Sequence, residues 1–374
     1  MRNFRTIRFC LLVLMATSLS LKAQEVTITL NPGWTWISCP GTDTVDFATA
    51  MGTFTPVEGD VIESQNHFSE YDQGAWFGEI QQFYPGRGYM YYSNRMEPIA
   101  VTFTTHAPQG NAPTGAINGA FSVGDSAQVY FSQGNLQYQA STNTWRFADN
   151  QWDYVGSDNS NLSSTYNGWI DLFGWGTSGW DNGNTYFHPW DSNNSSGSHY
   201  GHPGQGGLTG PYAHADWGFY NPISNGGSTT HTWRTLLTEE WDYVFNIRST
   251  ISGIRYAKAQ VNGVNGVVLL PDDWDLATYS LNDPNVDDVA FNCNVISATQ
   301  WATLESAGAV FLPAAGYRFG TSVGEVGSCG YYWSASYFNS SYAYLLSLKA
   351  SSLSTGNASN RSYGRSVRVV CPVE

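Results

Sequence analysis

Tyr331-Tyr332-Trp333-Ser334-Ala335, Ala343-Tyr344-Leu345-Leu346-Ser347-Leu348 and Ser366-Val367-Arg368-Val369-Val370 decide how this chain folds. Each is a short run of aromatic, aliphatic or β-branched residues, broken by Gly, Ser and Asn, and reads as a strand. Val267-Val268-Leu269-Leu270 reads the same way. So do Phe121–Val123, Ala127–Phe131 and Trp145–Phe147 farther upstream. Helical signals are confined to two places. Thr238 is a fair N-cap followed by Glu239 and Glu240 in the first turn. Ser297 to Ala307 is a second helical stretch, with Gly308 past its end. Residues 117–374 therefore predict an α+β domain with few helices, several strands and long loops.

Inside that domain, residues 156–231 carry no helical or strand period. They are rich in Gly, Ser, Asn and Trp, including Gly174-Trp175-Gly176 and Gly204-Gln205-Gly206-Gly207. Disordered chains are poor in aromatics, so Trp169, Trp175, Trp180, Trp190 and Trp217 point to a folded, loop-dominated segment. Trp175, Trp180, Trp190 and Trp217 either line a loop surface or pin the segment to the core. Trp241, Trp301 and Trp333 sit inside element signals and read as core.

Upstream lies a smaller unit. In residues 24–104, Glu25–Leu30, Trp34–Ser38, Asp60–Ser64 and Gly88–Ser93 read as strands, and Phe47–Phe54 as one short helix. This is a small β-rich module. The Pro- and Gly-punctuated residues 105–116 read as a linker. Residues 1–23 have the three-part layout of a secretory signal: Arg2, Arg5 and Arg8, then Phe9–Met15, then small and polar residues to Ala23. Cleavage near Ala23 and a secreted or cell-surface location in an outer envelope are the expectation. No later run has the roughly 18 apolar residues of a transmembrane helix.

The whole chain carries 16 Lys and Arg against 30 Asp and Glu. Removing Arg2, Arg5, Arg8 and Lys22 with the signal leaves 12 against 30, a net charge of −18. Such a surface repels phosphate backbones and argues against nucleic acid as a partner. The aromatic content is 15%, with 15 Trp and 23 Tyr, and points toward stacking interactions and binding. Cys39, Cys293, Cys329 and Cys371 match no zinc spacing and read as structural or free thiols, with three pairings open if they are oxidised.

One set of motifs is familiar. Trp233-Arg234-Thr235-Leu236 precedes Glu239-Glu240-Trp241. Leu270-Pro271 follows, then Leu312-Pro313 with Gly316-Tyr317-Arg318. Tyr331–Ser336 and the ending Ser362-Tyr363-Gly364-Arg365-Ser366-Val367-Arg368 complete the series. Together they resemble the Fibrobacter succinogenes major paralogous domain family, which has a C-type lectin-like fold. The module around Gly33–Ser38 and Pro85–Tyr92 is similar to one of secreted Bacteroidales proteins. The resemblance implies a C-type lectin-like C-terminal domain that presents ligand near the C-terminal strands. It is also similar to the variable proteins of diversity-generating retroelements, which display diversified residues on this fold.

Chemical motifs are sparse. Asp272, Asp273 and Asp275 offer the hard oxygens that calcium takes, or else form a solvated acidic loop. His199 and His202 have a His-x-x-His spacing, but a loop does not fix their geometry. No serine nucleophile elbow, phosphate loop or zinc-protease motif occurs. The cysteine pair of the formylglycine-generating relatives of this fold has no counterpart, so the expectation is a protein that is not an enzyme. The reading is a non-catalytic, secreted or cell-surface ligand-binding protein, adhesin-like or lectin-like, of a Bacteroidota-type bacterium. Its partner would be a glycan or a protein. The alternatives are a structural envelope or matrix protein, a retroelement variable protein and a polysaccharide hydrolase. Tyr337, Asn339, Tyr342, Tyr344, Asn357, Asn360 and Arg361 are the candidate contacts, because Tyr and Asn supply rigid area and adaptable hydrogen bonds.

Overall fold

The computed structural model describes residues 25–38, 45–51, 54–64, 67–80, 82–83, 88–104, 112–193 and 196–373. The expected export signal, Cys39 and most of the expected linker lie outside the described residues. The chain divides into two compact units, residues 1–108 and 109–374. Both are rich in strands and poor in helices.

The first unit is built on a five-stranded antiparallel sheet. Its order is Gly33–Ser38, Gly88–Ser93, Val61–Ser64, His67–Asp72, Ala75–Gly78. Glu25–Leu30 pairs separately with Ile99–Thr104. Period-2 alternation sends Ile37, Tyr89, Tyr91 and Ile62 to one face, where they bury against the short helix Phe47–Met51, Phe83, Leu30 and Val101. Asp60 is buried at the edge of this core. Its carboxylate accepts from the Tyr91 hydroxyl (2.6 Å), the Asn94 amide (2.7 Å) and the Val57 amide (3.0 Å), which satisfies a charge that burial would otherwise penalise. Gln73-Gly74, both at positive φ, makes the tight turn that joins His67–Asp72 to Ala75–Gly78, a hairpin that the sequence reading does not include.

In the second unit, one four-stranded antiparallel sheet has the order Ala116–Gly124, Ala127–Ser132, Val369–Pro372, Arg234–Thr235. A second four-stranded sheet holds Tyr256–Val261, Val264–Leu269 and Val310–Pro313, with Val295–Ile296 added in parallel at the edge. A three-stranded sheet follows: Cys329–Tyr337, Tyr342–Lys349 and Ser352–Asn360.

Helix Ala298–Ser306 starts as its sequence says. Ser297 Oγ accepts from the Gln300 amide (3.3 Å) while Gln300 Oε1 accepts from the Ser297 amide (2.9 Å). Gly308, at φ +89°, closes the far end against Gly119, where any side chain would strike backbone. Helix Thr238–Asp242 differs from expectation. Leu237 occupies the N-cap position, and its amide is met by Glu240 (2.8 Å). Thr238 lies one residue later, inside the helix, and its hydroxyl donates to the Thr355 carbonyl (2.8 Å). The helix runs on into a single wider turn, Tyr243–Ile247.

Residues 156–231 fold without long strands. Phe173, Trp175, Leu208 and Trp217 are fully or almost fully buried in one aromatic core with Trp145, Trp233 and Trp333. Trp180 and Trp190 pack against it. Trp175 and Trp217 therefore pin the segment to the core, while Trp180 and Trp190 stay partly exposed. Side chains replace the missing ladders. Asn159 Oδ1 accepts from the Asp171 and Leu172 amides, and Asp216 joins the Thr235 amide (2.7 Å) to the Gly218 amide (3.1 Å). As expected, Trp241, Trp301 and Trp333 are core residues. No helix among the described residues is long and apolar enough to cross a membrane.

Candidate functional site

The three-stranded sheet projects a hairpin whose turn is Phe338–Ser341. Asn339 makes the turn: its Oδ1 accepts from the Ser341 and Tyr342 amides, both at 2.9 Å. Tyr342 pairs across with Asn360, and Tyr344 with Ala358, so these four share a face. Tyr337 and Asn357 pair with the buried Ala343 and Leu345 and therefore lie on the opposite face. The seven candidate contacts thus do not form one patch.

Three of them gather at the tip. Tyr342 is 41% exposed, Asn339 is exposed, and Tyr344 is half-buried. Phe338, which the sequence reading passed over, joins them. It is 48% exposed and meets the Tyr344 ring edge-on at 5.1 Å. The signal was present: an aromatic residue beside a turn-forming Asn has no core to enter. Asn357 is exposed and donates to Ser347 Oγ (2.6 Å). Asn360 turns its carbonyl to the Ser362 amide (3.0 Å) and hydroxyl (2.8 Å).

Arg361 is a correction. It is 1% exposed and is not a surface contact. Its guanidinium lies over Trp175 at 4.3 Å and Tyr337 at 4.8 Å, and donates to the carbonyls of Asn339 (2.8 Å), Tyr342 (3.4 Å) and Tyr200 (3.5 Å). Burial lowers its pKa to about 10, so it stays charged at neutral pH. It joins the hairpin to the Gly/Trp-rich segment, a task that suits a planar fork of donors. The Trp175 indole adds a bond to the Ser334 carbonyl (2.9 Å), and the Trp333 indole one to the Phe173 carbonyl (2.7 Å).

Arg361 is one of a set. Arg365 is buried among the rings of Tyr331 (4.1 Å), Tyr317 and Tyr363 (both 5.0 Å). Arg368 reaches Gln151 Oε1 (2.5 Å), and Arg318 reaches the carbonyls of Leu172 and Gly320. Burial lowers the pKa of each to about 10. Gly364 stands where a Cβ would press on Arg318 Nε and the Leu172 carbonyl, each at 2.8 Å. Among the described residues every Lys and Arg is buried or half-buried.

The acidic metal candidates are also reassigned. Asp272 pairs through Oδ1 with the buried Arg248 (2.8 Å). Its Oδ2 accepts from the Ser122 amide (2.7 Å), the Ser122 hydroxyl (2.6 Å) and Gln128 (3.1 Å). It is a structural tie whose oxygens are taken. Asp275 accepts from the Ala277 amide (2.8 Å) in a local turn. Neither they nor Asp273 belong to any group of three or more His, Cys, Asp or Glu suited to a metal among the described residues. His199 and His202 also part: His202 is buried, stacked on Tyr212 at 3.7 Å, whereas His199 is exposed. Cys293, Cys329 and Cys371 are free thiols, and burial pushes Cys371 up to about 12, away from the reactive thiolate. No protein-family model, no curated protein and no solved structure matches the chain.

Proposed function

We propose that this chain is a non-catalytic, secreted or cell-surface ligand-binding protein of a Bacteroidota-type bacterium. Its C-terminal unit would be a C-type lectin-like domain similar to the major paralogous domain family, and its ligand a glycan or a protein. The observation that carries this reading is the contrast at the hairpin. Phe338, Asn339, Tyr342 and Tyr344 present outward-facing aromatic and amide groups, while Arg361, Trp175 and Trp333 clamp the backbone beneath them. Rigid aromatic side chains on a fixed frame lose little entropy on binding.

The test is a glycan and protein array probed with the mature chain, followed by Tyr342→Ala and Tyr344→Ala. Each change is expected to weaken binding by about tenfold or more, with the melting temperature held, since hot-spot aromatics carry most of such an interface. A well-folded chain that stays silent on the arrays, or variants that bind like the parent, would overturn the reading.

A further inference from the structure

The outward face of the first unit's sheet reverses the usual rule. A one-sided antiparallel sheet ordinarily turns polar side chains to water. Here alternation places Trp34, Trp36, Met90, Tyr92, Phe68 and Phe77 on the outer face, with Val61 between them. Trp36 is 76% exposed, Phe68 58% and Phe77 57%. Trp34 meets Tyr92 edge-on at 5.2 Å, so these rings are held in place. Contiguous exposed apolar surface of this kind marks an interaction site.

The charge on that face is one-sided. The same alternation brings Glu63, Glu70 and Asp72 out among the rings: Glu63 lies opposite Phe68 and Met90, and Glu70 opposite Phe77. None of the five strands contains a Lys or Arg, and residues 24–108 hold ten Asp and Glu against two Arg. A second copy of the face would set carboxylate against carboxylate, which disfavours self-association. Aromatic faces and carboxylates attract the same kind of partner, a cation with an apolar stem.

We infer that this sheet face is a docking site for a basic, extended polypeptide segment. Some lysine or arginine stems would lie across the Trp34 and Trp36 rings, while others, farther along the segment, would meet Glu63, Glu70 and Asp72 two and three strands away beside Phe68 and Phe77. Residues two apart on a strand stand roughly 7 Å apart, the spacing of alternate side chains in an extended ligand. The site shares no residue with the hairpin Cys329–Lys349.

The experiment uses the mature chain and a ten-residue peptide of alternating Lys and Ser, followed by tryptophan fluorescence and calorimetry. The expected result is saturable binding that weakens as salt rises, and that falls by about tenfold in Trp36→Ala. The triple variant Glu63→Gln/Glu70→Gln/Asp72→Asn, which keeps the rings, is expected to lose binding to a similar degree. Tyr342→Ala is expected to bind the peptide like the parent, which separates this site from the hairpin. Peptide binding unchanged in Trp36→Ala would mean diffuse attraction to an acidic surface and overturn the inference. So would binding of cellohexaose, a neutral glycan, with none of the peptide.

Discussion

Replacing Arg361 with lysine preserves charge and approximate length, yet it is expected to destabilise the second unit more than replacement with methionine. The wild-type guanidinium stacks on two rings, at 4.3 and 4.8 Å, and donates to three carbonyls, of which the 2.8 Å bond to Asn339 is the strong one. An ammonium reaches one carbonyl and one ring at most, and remains a buried, poorly solvated charge with no carboxylate partner. Losing one stacked contact and orphaning a carbonyl costs about 2–4 kcal/mol. For a domain of this size about 2–4 °C accompanies each kcal/mol, so the melting temperature should fall by about 5–15 °C. Methionine also orphans the Asn339 carbonyl but removes the charge and keeps an apolar stem between the rings, so about half that fall is expected. Differential scanning calorimetry of residues 24–374, parent against Arg361→Lys and Arg361→Met, reads the difference. A lysine variant that melts with the parent, or a methionine variant that melts below the lysine one, would refute the view of Arg361 as a planar clamp.

Three further outcomes follow from the same packing. His202 is buried and its pKa is pushed down to about 4, chiefly by desolvation and then by Arg361; the unfolded chain takes up this proton near pH 6.5 and the folded one does not, so stability tied to His202 is present above pH 6.5 and lost as pH falls toward 4. Thermal melts across that window should show His202→Gln losing less than the parent, and parallel curves would contradict this. Gly364→Ala, forced against Arg318 and the Leu172 carbonyl, should cost about 2 kcal/mol or more, and chemical denaturation that finds under 0.5 kcal/mol would show that the loop gives way. Asp272→Asn leaves Arg248 without its carboxylate and should cost about 3 kcal/mol by urea titration, whereas added calcium should leave the parent's midpoint in place.

Where secondary structure rests on local rules, the chain was legible. The helix start at Ser297, the glycine at 308 and the strand Trp34–Ser38 all rest on signals within a few residues, and all appear in the fold. The burial of Trp241, Trp301 and Trp333 was legible for the same reason. The rest depended on partners distant in sequence. Arg361 reads as a surface cation until Trp175 and Tyr200 are brought beneath it. Asp272 reads as a metal ligand until Arg248 and Ser122 consume its oxygens. Residues 156–231 show no period because Asn159, Asp171 and Asp216 hold the backbone through side chains, a device that leaves no repeat in the sequence. Of the candidate site, the residue types were legible but not the split between faces, since the pairing of Tyr337 with Ala343 follows a bulge after Trp333.

The strand Val369–Pro372 lies between Ala127–Ser132 on one side and Arg234–Thr235 on the other. During synthesis, Val129 can pair at once with Phe121, but its other side must wait for Pro372, so the sheet cannot close early. Contacts that span so much chain make folding slow, because loop closure is paid before any pairing is gained. Local hairpins such as Ala116–Gly124 with Ala127–Ser132 can form earlier, but until Val369 to Pro372 arrive Ala127–Ser132 keeps an open edge, the kind of edge that a stray strand of another chain can pair with.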